Sequence, residues 1–578
     1  MSASTKKKLR KEQNAQVMTE RQKQERAEAK KTKSITAVFL IAIALVVCIF
    51  IGTVGSTLFN SYGVMERLTT AATIGDHKVN SIMMNYFFYD AVQNEYSYLQ
   101  ETYGEYASYF LGYDPAKPLN EQEHKESGKT WADHYMDTAI ENAKAVYAVY
   151  DHAMANGFEI TEEVENAVAN NMMQIQWNAM LSGVSTKTVL RSIYGNGANE
   201  KSYEDYMTIK VVAATYYQQH QDSLNYDSAA IDAYEAEHFN DFSSYDFYSY
   251  FVKCDDYLTG GTLSEDGKTT TYSDEEKEAA RAAAEADANT LLTATTHEEL
   301  NAAIAALFKK DEAEVEDTEP ETTEPEATEP EATEPEATEP EETVPTATMN
   351  SDQDHTALPE DYAAWLGAAD RAANDIKVFP YSTTDADGVE TVTGYYVLMY
   401  VARDDKTDLM SNIRQILITP EGGTTDDNGN KTYSDEEWAA AKEKADNLLA
   451  QWKSGDANEE SFKALVAENS KDTATSENGG LYEDIHEDYT ALASELVKWS
   501  LDEARTANEA AVVKTSSGYH VMYYVGDDDL TYRDYMITQT LISNAMTEWE
   551  EGIISAVTAT PGDDSRINKS LVLTPASK

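Results

Sequence analysis

The sequence has few cysteines and few basic residues for its length. Only two cysteines, Cys48 and Cys254, occur in 578 residues, so no disulfide framework can form. Neither has partners at the spacing of a zinc site, and we expect no metal and no cofactor. Lys and Arg number 45 against 103 Asp and Glu, which gives a formal net charge of −58. A chain this acidic is poorly suited to neutralising phosphates, and we expect no nucleic-acid partner.

Several motifs of well-known chemistry are also missing. The sequence contains no His-Glu-x-x-His, no Gly-x-Ser-x-Gly and no phosphate-binding glycine loop. The run Asp426-Asp427-Asn428-Gly429 lacks the spaced ligands of a calcium loop, and we interpret it as a solvated turn. These absences argue against a metalloprotease, a serine hydrolase and a nucleotide-binding enzyme.

The basic residues that do occur are concentrated at the amino terminus. Residues 1–34 contain eleven Lys or Arg and four Glu, and the 25 residues Ile35–Phe59 contain no charged residue. At ~1.5 Å per residue, such a segment can cross a ~30 Å hydrocarbon layer. The positive-inside rule then predicts one transmembrane helix, with residues 1–34 in the cytoplasm and the rest of the chain outside. A cleaved signal peptide is the alternative, but no clear small-x-small site follows the apolar segment.

Residues 60–244 have the pattern of a mainly helical, chaperone-like domain. Apolar residues recur at intervals of three and four between Met136 and Tyr150, and Gly157 is a fitting helix end. The aromatic run Tyr86–Tyr89 allows two interpretations. Its amphipathic rings could bind unfolded peptide, or they could fill core positions of packed helices, which is the commoner role.

The remaining sequence contains an internal repeat. The segment TYSDEEKEAARAAAEADANTLL at residues 271–292 resembles TYSDEEWAAAKEKADNLL at residues 432–449. Further on, GYYVLMYV at residues 394–401 matches GYHVMYYV at residues 518–525. We infer two copies of one unit, copy one at residues 245–404 and copy two at 405–528. Each should consist of an opening strand, a long helix, short helices and closing strands, so the predicted fold class is α+β.

Two further segments complete the predicted organisation. A low-complexity insertion at about 311–350 interrupts copy one, and its Thr-Glu-Pro-Glu units carry no large apolar side chain. Such a segment cannot build a core, so we expect it to be disordered and extended. After copy two, residues 529–578 should form a terminal segment with an amphipathic helix at 532–554 and a frayed tail from Thr558.

Copy two contains three motifs in a fixed order. They are Arg414-Gln415-Ile416-Leu417 in the opening strand, Ser470-Lys471-Asp472 followed by Gly479-Gly480, and Ser517-Gly518-Tyr519-His520 in the final strand. Together these motifs resemble the parvulin-type (PpiC) peptidyl-prolyl cis-trans isomerases. The whole arrangement, from the anchor to the terminal helix, is similar to the membrane-anchored extracytoplasmic foldases of the PrsA and SurA kind.

The resemblance implies a set of functional residues. The polar active-site positions are Gln415, Asp472, Ser517 and His520, and Gln415 stands where the family has its first histidine. Candidates for the groove that would bind the proline ring are Leu481, Leu496 and Trp499, of which Trp499 could equally be an ordinary core residue. Copy one has Tyr250 and Tyr396 at the two histidine positions and lacks the other motifs, so we expect it to be non-catalytic.

The resemblance implies an isomerase that assists the folding of secreted proteins. Its partners would be unfolded or nascent secreted polypeptides that contain X-Pro bonds. Rotation about such a bond has a barrier of ~18–20 kcal/mol and needs no covalent intermediate, only a groove that binds the twisted imide better than the planar one. The alternative is a non-catalytic, membrane-anchored chaperone or scaffold whose parvulin-like domains only bind peptide. The residue Gln415 favours this alternative, whereas Asp472, Ser517 and His520 favour the enzyme.

Overall fold

The protein was analysed as a computed structural model, which describes residues 62–264, 270–316, 344–384, 388–425 and 431–573. Four features of the sequence lie wholly or largely outside these residues: the basic segment 1–34, the apolar segment Ile35–Phe59, the core of the insertion at 311–350, and the turn at 426–429. Within the described ranges, no helix is long and apolar enough to cross a membrane.

Helices and strands alternate irregularly along the described chain. The helices are α1 (Val64–Leu68), α2 (Ser81–Tyr103), α3 (Ala107–Phe110), α4 (Trp131–Ala155), α5 (Glu162–Leu181), α6 (Thr186–Tyr194), α7 (Glu200–Ser223), α8 (Ser228–His238), α9 (Asp274–Thr290), α10 (His297–Glu316), α11 (Glu360–Leu366), α12 (Asp435–Ser454), α13 (Glu459–Asn469), α14 (Ser494–Ser500) and α15 (Tyr532–Ser555). The strands are β1 (Thr70–Ile74), β2 (His77–Asn80), β3 (Glu123–His124), β4 (Lys129–Thr130), β5 (Ser244–Lys253), β6 (Thr262–Leu263), β7 (Thr270–Thr271), β8 (Thr348–Asp354), β9 (Ile376–Thr384), β10 (Glu390–Asp404), β11 (Leu409–Ile418), β12 (Thr424–Thr425), β13 (Lys431–Thr432), β14 (Leu481–Ile485), β15 (Ala510–Lys514), β16 (Tyr519–Thr531) and β17 (Ala559–Pro561). Both element types are well represented, as expected for an α+β protein.

The chain divides into two compact units. Among the described residues, the first unit comprises those within 62–225 and 542–573, and the second comprises those within 226–541. Helix α8 therefore belongs to the second unit, although the sequence pattern had grouped it with the preceding helices.

Aromatic side chains supply much of the core of the first unit. Tyr86, Phe87 and Phe88 on α2 are at most 2% exposed, so these members of the run are core residues and not a peptide-binding surface. The neighbouring Asp90 accepts a hydrogen bond of 2.6 Å from the Tyr206 hydroxyl on α7, which fixes these two helices against each other. Helix α4 ends at Ala155, two residues before Gly157, whose φ of 79° is the left-handed conformation expected at a helix end.

The carboxyl-terminal segment is part of the first unit. Strand β17 pairs antiparallel with β1, and Ile567 and Leu573 lie in the aromatic core. The expectation of a frayed tail from Thr558 is therefore wrong as far as residue 573, because pairing with a distant strand leaves no signal in local composition. The helix predicted at 532–554 is confirmed as α15, and its Trp549 packs against the rings of α7, 4.4 Å from the His220 centroid.

The second unit contains two four-stranded antiparallel sheets with the same strand order. One has the order β8-β5-β10-β9 and the other β14-β11-β16-β15. The long helices α9 and α10 cover one face of the first sheet, and α12 and α13 cover the same face of the second. The short helices α11 and α14 lie on the opposite faces.

The same side-chain contacts recur in both halves of the second unit. Helices α9 and α12 each begin with a capping box, formed by Ser273 with Glu276 and by Ser434 with Glu437. After α11 and α14, Arg371 and Arg505 stack on Trp365 and Trp499, with the guanidinium carbon 4.5 and 4.2 Å from the ring centroid. The repeated sequence thus folds with repeated local geometry.

Strand pairing corrects one correspondence between the two sheets. Tyr396 and His520 occupy equivalent places in β10 and β16, and their neighbours Leu398 and Met522 lie opposite Ser249 and Gln415, respectively. Ser249 and not Tyr250 therefore corresponds to Gln415. A shift of one residue moves a side chain to the other face of a sheet. Tyr250 accordingly packs on the face that α9 and α10 cover.

Candidate functional site

The polar site of the second sheet is centred on the side chain of Gln415. This residue lies on the central strand β11. The side chain of His520, on the adjacent strand β16, contacts it. The amide Nε2 donates to Asp472 Oδ2 at 2.9 Å, and the amide Oε1 contacts His520 Nδ1. On the other side of the imidazole, Nε2 lies 2.9 Å from Thr515 Oγ1. Four side chains from two strands and two loops thus form one continuous hydrogen-bonded chain.

The carboxylate at one end fixes the direction of this chain. An ionised Asp472 can only accept hydrogen bonds, so the NH₂ group of Gln415 must face it and the amide oxygen must face His520. The imidazole therefore carries its proton on Nδ1, and Nε2 accepts from the Thr515 hydroxyl. Thr515 Oγ1 in turn accepts from the backbone N–H of Ser517 at 3.1 Å. Every donor points towards the carboxylate, an arrangement in which successive hydrogen bonds strengthen one another.

Burial keeps the histidine of this chain neutral. Gln415, Thr515 and His520 are 3%, 5% and 5% exposed. Removal of the imidazole from water lowers the pKa of His520 to about 4, with Asp472 and Glu495 opposing this shift only in part. At neutral pH, the site therefore offers an uncharged imidazole that is held in one tautomer.

Asp472 remains ionised although it is partly buried. Burial alone would raise the pKa of this carboxyl, but hydrogen bonds lower it below its usual value. The donors are the hydroxyls of Thr475 and Tyr482, at 2.8 and 2.9 Å, together with the Ala474 N–H and the Gln415 amide. The carboxylate is thus the negative end of the hydrogen-bonded chain.

The glycine pair brings the loop after Asp472 close to the central strand. Gly480 accepts from the Gln415 N–H at 2.9 Å with its carbonyl oxygen, and its φ is 75°. A Cβ at this position would lie 2.4 Å from the Gln415 carbonyl oxygen, so only glycine fits. Arg414 holds the same loop by donating to the carbonyl oxygens of Asn478 and Gly479 at 2.8 and 3.0 Å.

The structure places the other residues inferred from the family differently. The Ser517 side chain is exposed, and only its backbone N–H joins the polar chain. Leu496 belongs to α14, is 1% exposed and packs in the core between this helix and the sheet, and Trp499 is half-buried beneath Arg505. Leu481 is half-buried at the start of β14, next to Tyr482. Of the three candidate groove residues, Leu481 is the one next to a residue of the site, since Tyr482 donates a hydrogen bond to Asp472.

Three residues of the site were missed in the sequence. Thr515, Thr475 and Tyr482 each donate to, or accept from, a member of the chain, but none belongs to the quoted motifs. Thr515 could have been found from the tight turn between β15 and β16, because Thr515 lies at the start of this turn and its side chain reaches His520 just after it. Thr475 and Tyr482 reach Asp472 through an irregular loop and leave no periodic signal.

Comparison with known families identifies this region. The family model described as the PPIC-type PPIASE domain matches residues 395–526. The chain carries a PPIC-type peptidyl-prolyl isomerase domain. This match confirms the resemblance seen in the three motifs. It begins within β10, includes β11, β14 and β15, and ends within β16, so the polar chain from Asp472 to Thr515 lies inside the PPIC-type domain.

Solved structures similar to this chain include three PrsA proteins. Peptidylprolyl isomerase (PrsA) from Bacillus anthracis is 16% identical, with 26% of this chain and 59% of that chain covered and a TM-score of 0.16. Peptidylprolyl isomerase (PrsA) from Bacillus cereus is also 16% identical, with 26% of this chain and 50% of that chain covered and a TM-score of 0.16. PrsA from Bacillus subtilis is 16% identical, with 25% of this chain and 48% of that chain covered and a TM-score of 0.17. The similarity thus spans less than two thirds of each of these proteins. A search of curated proteins gave no match.

The buried imidazole leads to a prediction about pH. We expect His520 to stay neutral at all pH values above about 5, because its pKa of about 4 lies well below the usual 6.5. As the pH falls below 6.5, the unfolded chain binds this proton first. The stability gained by keeping His520 neutral is therefore present above pH 6.5 and lost as the pH falls towards about 4.

NMR titration of ¹³C-labelled histidines, with His520 assigned from a His520→Gln variant, measures this pKa directly. A His520 midpoint at or above 6.5 would contradict the assignment of a buried, neutral imidazole.

Proposed function

We propose that this protein is a foldase whose PPIC-type domain isomerises X-Pro bonds in unfolded polypeptides. The observation that carries the proposal is the continuous chain from Asp472 through Gln415 and His520 to Thr515, inside a domain that matches an isomerase family. Glutamine replaces the first family histidine but still supplies one donor and one acceptor. The polar network persists with this substitution.

Such a site would act by binding and not by proton transfer. His520 is neutral and engaged at both nitrogens, and neither it nor Gln415 is set up as a general base at neutral pH. Rotation about the X-Pro bond breaks no σ bond, so a site that fits the twisted imide better than the planar one lowers the barrier. The buried chain gives the floor of the site a fixed dipole that ends at the Asp472 carboxylate. Activity should therefore depend on the intact chain more than on pH between 6 and 8.

We expect the full chain to accelerate cis-trans exchange of a proline-containing tetrapeptide, and His520→Ala to reduce that rate about tenfold. Loss of one hydrogen-bonding partner costs on the order of 1.4 kcal/mol, and an activation barrier higher by that amount lowers the rate about tenfold. Ser517→Ala should change the rate less than about twofold, because the Ser517 hydroxyl is exposed. Exchange spectroscopy by NMR measures both variants, and circular dichroism shows whether they are folded. A folded wild-type protein with no effect on exchange would favour the non-catalytic alternative.

A chaperone activity that does not depend on catalysis is supported by one surface of the first unit. Helix α5 and the turn that follows it expose several large apolar side chains, and we call them the α5 patch: Met173, Trp177, Met180, Leu181 and Val184, which are 55%, 60%, 60%, 68% and 45% exposed. Exposed apolar groups that recur on one helix are typical of binding surfaces for other polypeptides. We propose that the α5 patch binds unfolded clients, whether or not the PPIC-type domain is active.

The α5 patch can be tested separately from isomerisation. We expect Trp177→Ser with Leu181→Ser to remove most of the ability of the full chain to suppress aggregation of a reduced, unfolded test protein. The matched control is Gln174→Ser with Asn178→Ser, which changes two exposed polar residues of the same helix. Light scattering measures aggregation, and NMR exchange measures isomerase activity in the same samples. Equal suppression by both double variants would show that client binding lies elsewhere.

We also propose that copy one is a degenerate parvulin-like domain in tandem with the PPIC-type domain. The shared strand order, the paired capping boxes and the paired Trp-Arg stacks support this proposal. In place of Gln415 and His520 this copy has Ser249 and Tyr396, so it would serve as a structural or peptide-binding domain.

The charge pattern of the amino-terminal sequence supports a proposal about cellular location. We propose that Ile35–Phe59 is an uncleaved membrane anchor and that the two units act outside the cytoplasm on secreted proteins. Protease added to intact cells should then degrade the chain beyond residue 60 and leave residues 1–34 protected, as detected with an antibody to the basic segment. Recovery of a soluble form that begins near Ser56 would instead indicate cleavage by a signal peptidase.

A further inference from the structure

A cavity lies at the end of the second sheet away from the polar site. Its volume is about 290 Å³, and its lining includes Ser411 of β11, Asp527 of β16, His486 and Tyr532. Ser411 precedes Gln415 by four residues, which corresponds to about 13 Å at ~3.3 Å per residue of strand. Ligand binding in this cavity would therefore be separate from the chemistry of the PPIC-type site.

The lining of the cavity contains buried polar atoms that lack partners. Among the described residues, neither Ser411 Oγ nor His486 Nδ1 has a hydrogen-bonding partner, although both atoms are buried. The Ser411 residue as a whole is 2% exposed. The pairing of β11 is irregular beside Ser411 with both neighbouring strands, so the sheet is locally open at this position. A buried hydroxyl without a partner is destabilising, and a bound hydrogen-bond donor would remove that cost.

The charges around the cavity favour a cation. Six carboxylates line it, those of Asp404, Asp408, Glu487, Asp502, Glu503 and Asp527, against two cationic side chains, Lys406 and Arg505. Both cations already have partners: Lys406 Nζ lies 2.7 Å from Asp352 and contacts Glu487, and Arg505 lies 3.0 Å from Asp502. Asp408 and Glu503 also line the cavity, form no ion pair with any described residue, and are exposed. An anion would be repelled here.

The cavity does not suit a metal ion. The described residues contain no group of three or more His, Cys, Asp or Glu side chains placed to hold one. Its aliphatic and aromatic lining, from Leu409, Leu501, Tyr524 and Tyr532, instead suits an organic cation on an apolar stem.

The first sheet shows what fills the equivalent place. Arg403 pairs with Tyr245 in the first sheet, as Asp527 pairs with Ser411 in the second. Tyr245 is 1% exposed, and its hydroxyl lies 2.9 Å from His355 Nδ1. The second sheet therefore has a small serine where the first has a buried tyrosine, and the space that remains is the cavity.

The residue that lies beside Tyr245 is an arginine. The Arg403 guanidinium donates to Ser243 Oγ at 2.9 Å and to the Gly367 carbonyl oxygen at 3.3 Å, with its central carbon 5.9 Å from the Tyr245 ring centroid. Gly367 follows α11, and its counterpart after α14 is Leu501, which lines the cavity. The first sheet thus holds a guanidinium of its own where the second has a cavity and the acidic Asp527.

We propose that the cavity beside Ser411 and Asp527 binds the cationic side chain of an arginine or lysine in a client polypeptide. Asp408, Glu503 and Asp527 would supply the negative charge, and Ser411 Oγ and His486 Nδ1 would accept hydrogen bonds from the guanidinium or ammonium group. This site extends the proposed foldase function by adding a second anchor for a client, and it prefers basic segments.

The test uses a peptide without proline, so that the result does not depend on isomerase activity. We expect acetyl-Gly-Ala-Arg-Ala-Gly with a carboxyl-terminal fluorophore to bind the full chain at least about tenfold more tightly than the same peptide with citrulline in place of arginine. Citrulline keeps the shape of arginine but has no charge. Fluorescence anisotropy at low ionic strength measures both affinities. Equal affinities would overturn the proposal and leave the isomerase proposal untouched.

Variants locate the binding. Asp527→Arg introduces the residue that the first sheet has at this place, and it should weaken arginine-peptide binding at least about tenfold. Asp529→Arg makes the same charge change two residues further on, outside the cavity, and should leave the affinity within about twofold. An equal loss in both variants, or no loss in a folded Asp527→Arg protein, would overturn the proposal. If Asp527→Arg fails to fold, Asp408→Asn is decisive: a loss of about threefold or more is expected, and an unchanged affinity would contradict the site.

Discussion

The hydrogen bonds made by the Gln415 amide hold the site of the PPIC-type domain together. One end of the amide meets the Asp472 carboxylate and the other meets the His520 imidazole. This single group sets the tautomer of the histidine, keeps an acceptor facing it, and ties the central strand to the loop that carries Asp472. The surrounding features serve the same contact: the glycine pair lets that loop approach β11, and burial keeps His520 neutral. Gln415 cannot titrate, and the network that it maintains keeps one protonation state near neutral pH, because His520 is neutral and Asp472 is ionised.

The two sheets of the second unit show how one scaffold is used in two ways. They share strand order, capping boxes and Trp-Arg stacks. They differ at the two ends of their central strands. At one end, Gln415 and His520 are matched by Ser249 and Tyr396, and at the other, Ser411 and Asp527 are matched by Tyr245 and Arg403. The first sheet has Tyr245 and Arg403 where the second has the acidic cavity, and it lacks the polar network that Gln415 and His520 form in the second.

Much of this organisation was predictable because it depends on local signals. The capping boxes, the helix at 532–554, the end of α4 before Gly157 and the motifs around Gln415 and His520 each reside in a few consecutive residues. The errors have a different origin. Aligning Tyr250 with Gln415 was wrong by one residue, since register is set by pairing across the sheet, and the tail after Thr558 was misjudged because its partner is β1. Thr515, Thr475 and Tyr482 were missed for a similar reason, because tight turns and irregular loops bring them to the site.

We propose that a glutamine can replace the first family histidine because its amide keeps a hydrogen bond at both ends of the network. Exchange of a proline peptide measured by NMR in wild type, Gln415→Leu and Gln415→His tests it most directly. Leucine has a similar volume but no polar atoms, so we expect a folded Gln415→Leu protein that has lost most of its acceleration of exchange. Gln415→His, which restores the family residue, should retain or increase the rate. An unchanged rate in folded Gln415→Leu would contradict this role, since the amide would then have no part in the function of the site.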